Sequence, residues 1–220
     1  PSVAAAPDGT FYFSYDNMDW GTPERALPKS IVGVSKSTDG GLTWTSPVAA
    51  GTSIDGPKTV VDLNTGTIYE ASGFGNRRVV SSKDGVNWTK PNGMGGSDGT
   101  RTYTPGMGTT MTAAQGKIAV AFRVTDAASC AFFVGGAAPC MVFQTSTDSA
   151  ATWKRHRVPV TGVFGAASLA ADPSKKDHYT VSVQNGAGTK FSVYQTTDGG
   201  STWTGPTTLA EDTTRQYYHA

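Results

Sequence analysis

The chain is predicted to fold as an all-β propeller, a set of small antiparallel sheets that serve as blades. A short motif recurs four times: Ser37-Thr38-Asp39-Gly40-Gly41-Leu42-Thr43-Trp44, Ser82-Lys83-Asp84-Gly85-Val86-Asn87-Trp88, Ser146-Thr147-Asp148-Ser149-Ala150-Ala151-Thr152-Trp153 and Thr196-Thr197-Asp198-Gly199-Gly200-Ser201-Thr202-Trp203. Its aspartates lie 45, 64 and 50 residues apart, room for one sheet of about four strands per repeat. The composition, with 27 Gly and 12 Pro and only 16% charged residues, has the texture of short strands and tight turns.

Each part of the motif suits a hairpin tip. Asp caps its own backbone two residues on, the Gly pair supplies positive φ, Thr favours the strand that follows, and Trp buries a large ring between sheets. The second copy is one residue shorter from Asp to Trp, and the third carries Ser149 and Ala150 in place of the glycines. Drift at the tip with Asp and Trp retained argues for a structural turn.

The string S-x-D-x-G-x-T-W resembles the Asp-box, or BNR repeat, of sialidases and related propellers. The resemblance implies that the motif joins the third and fourth strands of a blade, on the face away from the active site. Asp39, Asp84, Asp148 and Asp198, with Trp44, Trp88, Trp153 and Trp203, are accordingly expected to be structural. The motif is specific for fold and much less so for activity.

The blades can be written out in order, within a single domain over 1–220, as roughly 1–50, 51–105, 106–162 and 163–212. Blade one takes strands at 2–6, 10–15, 30–36 and 43–49, with Pro7-Asp8-Gly9 as its first turn. Blade two takes 58–62, 67–71, 78–82 and 88–90, turning at Leu63-Asn64-Thr65-Gly66. Blade three takes 108–113, 117–124, 141–145 and 152–158, its longer spacing coming from an insertion that carries both cysteines. Blade four takes 166–170, 177–183, 190–195 and 202–207, and 213–220 reads as the start of a fifth. Sialidase-type propellers have six or seven blades, so this chain reads foremost as part of a longer one, with an unusually small closed propeller as the alternative.

With 18 Lys plus Arg against 17 Asp plus Glu and no block of like charge, nucleic acid and anionic membranes are poor candidate partners. No apolar run approaches the length needed to span a bilayer. Cys130 and Cys140 are too few for a zinc site; they read as a disulfide pinning a loop or as two buried thiols, and the disulfide reading points to secretion. Neither a metal nor a cofactor is expected.

Ligands belong on the face opposite the Asp-boxes. The first loop there, Asp16-Asn17-Met18-Asp19-Trp20-Gly21-Thr22-Pro23-Glu24-Arg25, packs carboxylates, an indole and a guanidinium into ten residues. This mixture suits a glycan: carboxylates for proton transfer, an aromatic plane for a sugar ring, Arg for a carboxylate or hydroxyls. A long solvated loop is the plain alternative.

The segment 7–16 is similar to the sialidase stretch that follows the R-I-P motif, which would make Pro1 the motif's proline. The resemblance gives the acid/base role to Asp19 or, less favourably, to Glu24 or Asp16. It also turns Asp55 and Lys58 toward the channel mouth, although Asp55 could equally cap a turn. A sialidase further needs two more arginines, a Tyr nucleophile and a Glu to activate it. Arg77, Arg78, Arg101 with Tyr103, Arg123, and Arg215 with Tyr217, Tyr218 and His219 are the local groupings that could contribute, and they make no complete set. Arg215 beside Tyr217 and His219 could instead support lyase chemistry on a uronate, or these aromatics could pack between blades. His156 and His178 read as solvated.

The sequence reading is a secreted propeller acting on carbohydrate, foremost an exo-acting glycoside hydrolase of sialidase type on acidic sugars. A polysaccharide lyase and a non-catalytic glycan-binding or interaction propeller are the alternatives.

Overall fold

A computed structural model describes residues 1–17, 31–51, 56–72, 77–105, 109–162, 164–212 and 214. The first blade is built from β1 (Ser2–Ala5), β2 (Phe11–Asn17), β3 (Ile31–Ser37) and β4 (Val48–Gly51), hydrogen-bonded in that order. The second uses β5 (Lys58–Val61), β6 (Ile68–Ser72), β7 (Arg78–Ser82) and β8 (Asn92–Gly93) in the same order. A two-stranded ribbon, β9 (Gly96–Ser97) and β10 (Thr102–Tyr103), follows. The third blade joins β11 (Thr110–Ala114), β12 (Lys117–Val124), β13 (Cys140–Ser146) and β14 (Lys154–Val158), with helix α1 (Ala127–Val134) inserted after β12. The fourth runs β15 (Phe164–Ala171), β16 (Tyr179–Asn185), β17 (Lys190–Thr196), β18 (Thr204–Glu211). The chain is thus an all-β propeller chain of four-stranded antiparallel blades.

Every motif copy links the third strand of its blade to the fourth. The fourth strand starts later than the sequence spacing suggests in the first two blades, at Val48 and Asn92. In blade one the Thr45 hydroxyl accepts from the Lys36 amide at 3.1 Å, and in blade two the Thr89 hydroxyl accepts from the Ser81 amide at 2.9 Å. A side chain thereby fills the ladder position, and the prolines two residues on, Pro47 and Pro91, have no amide to donate.

Helix α1 has no counterpart in the predicted strands. The Asp126 side chain caps it by accepting from the Ser129 amide at 2.9 Å, and Gly135 follows its last residue. Cys130 and Cys140 are disulfide-bonded and buried. Arg157 ties the same insertion down, donating to the carbonyls of Gly135 and Ala137 at 2.7 Å each.

Backbone contacts divide the chain into two compact units, one of Pro1–Gly95, Ala113–Ile118 and Ser146–Thr152, the other of Gly96–Thr112, Ala119–Thr145 and Trp153–Ala220. The first is cored by Tyr12, Val32, Val34, Ile68 and Val80, with Trp88 packed against them. The second is cored by Met141, Phe143, Val158, Tyr179 and Val181, and there the Trp203 ring meets Phe143 edge-on at 5.2 Å. No helix among the described residues is long and apolar enough to cross a membrane.

Candidate functional site

The aspartates of the motif spend their oxygens on their own turns. In the first copy Asp39 Oδ1 accepts from the Thr43 amide at 2.9 Å and from Ser37 Oγ at 2.7 Å, while Oδ2 accepts from Thr43 Oγ1 at 2.6 Å. The third and fourth copies repeat the pattern with Thr152 and Thr202. In the second, Asn87 supplies both its amide and its side-chain nitrogen to Asp84. The threonine hydroxyls, followed by the backbone amides, hold Asp39, Asp148 and Asp198 down to about 2, and the Asn87 and Val86 amides lower Asp84 as well. Such groups are permanent anions buttressing a hairpin and have no proton to give near neutral pH.

In an antiparallel blade the β2–β3 loop and the connection to the next blade leave from the end opposite the motif. At that end of the first unit stand Asp16, near the end of β2, Lys58, the exposed first residue of β5, and Arg77, just before β7. Arg77 Nη1 donates to the Gly56 carbonyl at 3.3 Å, which folds the guanidinium over the blade-to-blade connection two residues from Lys58. Gly56 has φ +60°, and a Cβ there would lie 3.1 Å from Arg77 Nη2, so the bare backbone is what admits the arginine.

Below these groups runs a buried polar chain that the sequence reading missed. Glu70, on β6, is 1% exposed; its Oε2 lies 2.8 Å from Thr59 Oγ1, which lies 2.7 Å from Ser14 Oγ. Thr59 has one hydroxyl hydrogen and cannot donate to both neighbours. Either Ser14 donates to Thr59 and Thr59 to an ionised Glu70, or a protonated Glu70 donates to Thr59 and Thr59 to Ser14; burial of the carboxyl favours the second. Burial pushes the Glu70 carboxyl up to about 8, with the Asp16 charge adding to the rise against the hydrogen bonds of Thr59 and Ser14. Its Oε1 is buried without a hydrogen-bond partner. The available signal was a lone acid inside the apolar run Ile68-Tyr69-Glu70-Ala71.

Of the remaining candidates, Asp19, Trp20, Glu24, Arg25, Asp55, Arg215, Tyr217 and His219 lie outside the described residues. Arg101 and Tyr103 belong to the second unit and to its β9–β10 ribbon. The Tyr103 hydroxyl donates to Asp98 Oδ2 at 2.6 Å, and this bond raises its pKa. Its ring stacks on Phe132 at 4.1 Å, and Arg101 reaches Asp126 at 3.6 Å. This is a packed corner anchored to α1. His156, expected to be solvated, is half-buried on β14 with Nε2 unpartnered, and burial lowers its pKa. Among the described residues no cluster of three or more His, Cys, Asp or Glu could hold a metal ion.

No family model matches the sequence, and no curated protein matches it. Solved structures do. The Hadza microbial sialidase Hz136 superposes with a TM-score of 0.62 at 21% identity, over 97% of this chain and 46% of its own. A Trypanosoma rangeli sialidase in complex with sialic acid gives 0.57 at 16%, over 93% of this chain and 36% of its own. Zg3597, a family 117 glycoside hydrolase from Zobellia galactanivorans, gives 0.51 at 15%, over 92% and 66%. The chain therefore spans less than half the length of the two sialidases, and at these identities the likeness is one of fold.

Proposed function

We propose that the protein is a carbohydrate-active propeller that engages acidic sugars at the end of its blades opposite the Asp-boxes, as a glycoside hydrolase of sialidase type. The reading is supported by the position of Asp16, Lys58 and Arg77 at strand ends on that side of the first two blades, and by a fold shared with sialidases and a family 117 glycoside hydrolase. Arg77 and Lys58 would meet the sugar carboxylate, Arg in bidentate fashion and Lys as a point charge. The acid that protonates the leaving oxygen would come from the segment 16–25, with Asp19 ahead of Glu24.

Protonated Glu70 fits beneath such a site as a neutral wall. It would let the anions of the mouth stand over a group that adds no further negative charge, and a deprotonated Glu70 would repel an acidic sugar. The test is hydrolysis of a fluorogenic sialoside by the protein and by Asp19→Ala, Glu24→Ala and Arg77→Ala variants. The reading requires activity that falls at least about 100-fold in one of the acid variants, with Arg77→Ala raising KM. Absorbance from an unsaturated uronate would instead establish a lyase. Binding of acidic glycans with no turnover, unchanged in both acid variants, would establish a non-catalytic module.

A further inference from the structure

The Asp-box end of the first unit holds a cavity of about 600 Å³, within the range of roughly 300–1,000 Å³ typical of small-ligand sites. It lies among the turns of the second and third blades, at the opposite end of the strands from Asp16 and Arg77. Eight of its twelve lining residues carry a hydroxyl. Tyr69 supplies its one aromatic ring, 5% exposed, and no aliphatic side chain lines it. Such a wall offers many hydrogen bonds beside the apolar surface of threonine methyls, the Lys83 stem and the Tyr69 ring.

Several of those bonds are left over. Lys83 Nζ donates to the Thr65 carbonyl at 3.2 Å and to Thr67 Oγ1, both neutral oxygens. Its third hydrogen and its whole charge remain for another partner. No ion pair joins it to the neighbouring Asp84, whose Oδ1 accepts from Ser82 Oγ and the amides of Val86 and Asn87 and whose Oδ2 accepts from the Asn87 side chain. Thr65 Oγ1 accepts from the Thr67 amide and pairs with the Thr67 hydroxyl, which itself receives Lys83. Either hydroxyl can be the donor of that pair, so one of the two hydrogens is left to donate. Ser149 Oγ accepts from Ser81 Oγ at 3.0 Å, so its own hydrogen is free as well.

Ser149 sits in the cavity wall at a cost. Its φ is +55°, at the tip position where the first and fourth motif copies place Gly40 (φ +75°) and Gly199 (φ +71°). Glycine adopts this conformation without penalty, and the neighbouring Ala150 (φ +68°) shares it, so the left-handed backbone belongs to the turn as a whole. What Ser149 adds at this position is a hydroxyl in the cavity wall, bonded to Ser81.

We propose that this cavity is a second, non-catalytic saccharide site, taking one sugar ring that carries a carboxylate. The ring hydroxyls would exchange hydrogen bonds with Thr65, Thr147 and Ser149, and the carboxylate would take the third hydrogen of Lys83. A bare inorganic anion would satisfy the lysine and leave most of the hydroxyl wall unused.

The test is amide chemical-shift titration of the ¹⁵N-labelled protein with D-glucuronate, D-glucose and acetate. Saturable shifts at Thr67, Gly116 and Ser149 are expected for glucuronate, with glucose and acetate each binding about tenfold or more weaker. Lys83→Met should reduce glucuronate to the glucose level. Ser149→Gly should weaken glucuronate while leaving the melting temperature unchanged or higher, because relief of the left-handed strain offsets the lost Ser81 bond; a loss of binding then cannot be a loss of fold. The proposal is overturned if glucuronate leaves those amides unmoved, if acetate matches it, if glucose matches it, or if both variants bind like the parent. Because neither variant touches the Asp16 and Arg77 end, sialoside turnover is expected to persist in both, and a missing turnover leaves this titration valid.

Discussion

At the scale of single residues, Glu70 has the largest thermodynamic consequence. Its folded-state pKa, about 8, lies above the ordinary 4.5. Below pH 4.5 the carboxyl is protonated in the folded and the unfolded chain alike. Between about 4.5 and 8 the folded protein keeps a proton that the unfolded chain has lost, so stability falls as pH rises through this window and levels off above it. The total is on the order of 3–5 kcal/mol. The Asp-box carboxylates are lowered and act only at more acidic pH. His156, whose pKa is lowered by burial, works in the opposite sense below its ordinary 6.5, and comparison with a Glu70→Gln variant cancels it. We expect Glu70→Gln to flatten the wild-type decline between pH 5 and 8 and to melt higher than wild type at pH 8.5, as read by circular dichroism. Wild type and Glu70→Gln profiles that run parallel between pH 5 and 8 would show that Glu70 is ionised in the fold.

At the scale of elements, the insertion in blade three is held by two independent ties, the Cys130–Cys140 bond across 10 residues and the Arg157 guanidinium on the carbonyls of Gly135 and Ala137. Replacing both cysteines by serine should cost about 2–3 kcal/mol in urea unfolding, with the fold retained because Arg157 still fixes the loop. Blade strands were legible in the sequence because alternation, turn residues and the repeated motif agreed. Helix α1 was not, since eight residues capped by one Asp carry too little periodicity to stand out beside a strand. The delayed fourth strands could have been read from Thr45-Ser46-Pro47 and Thr89-Lys90-Pro91. For the candidate site the sequence brought forward Asp16, Lys58 and Arg77, whereas the Ser14-Thr59-Glu70 chain joins the predicted β5–β6 hairpin to a strand of the first blade that no local pattern brings beside it. Likewise the cavity hydroxyls come from turns of two blades, such as those of Thr65 and Ser149.

At the scale of the whole molecule, a formal charge of +1 with charges of both signs dispersed along the chain leaves little field for a polyanion. The protein is expected to pass through a DNA column at about 0.15 M salt, where a Debye length of about 8 Å already screens isolated lysines; retention that weakens steeply with salt would reveal a basic face. The four motif copies make the blades look interchangeable, yet most of the side chains that bond the second blade to the third lie outside the motif. Asp62 Oδ2 accepts from the Gly116 amide at 2.6 Å, Asn64 Oδ1 from the Gln115 amide at 3.0 Å, and the Asn92 side chain donates to the Ser149 carbonyl at 3.0 Å. The motif tells a segment to become a blade, and these asides of sequence tell it which blade to follow. Transposing the second and third repeats would preserve every Asp-box and still lose the side chains that recognise the successor, so the order of the blades is an address written apart from the repeat itself.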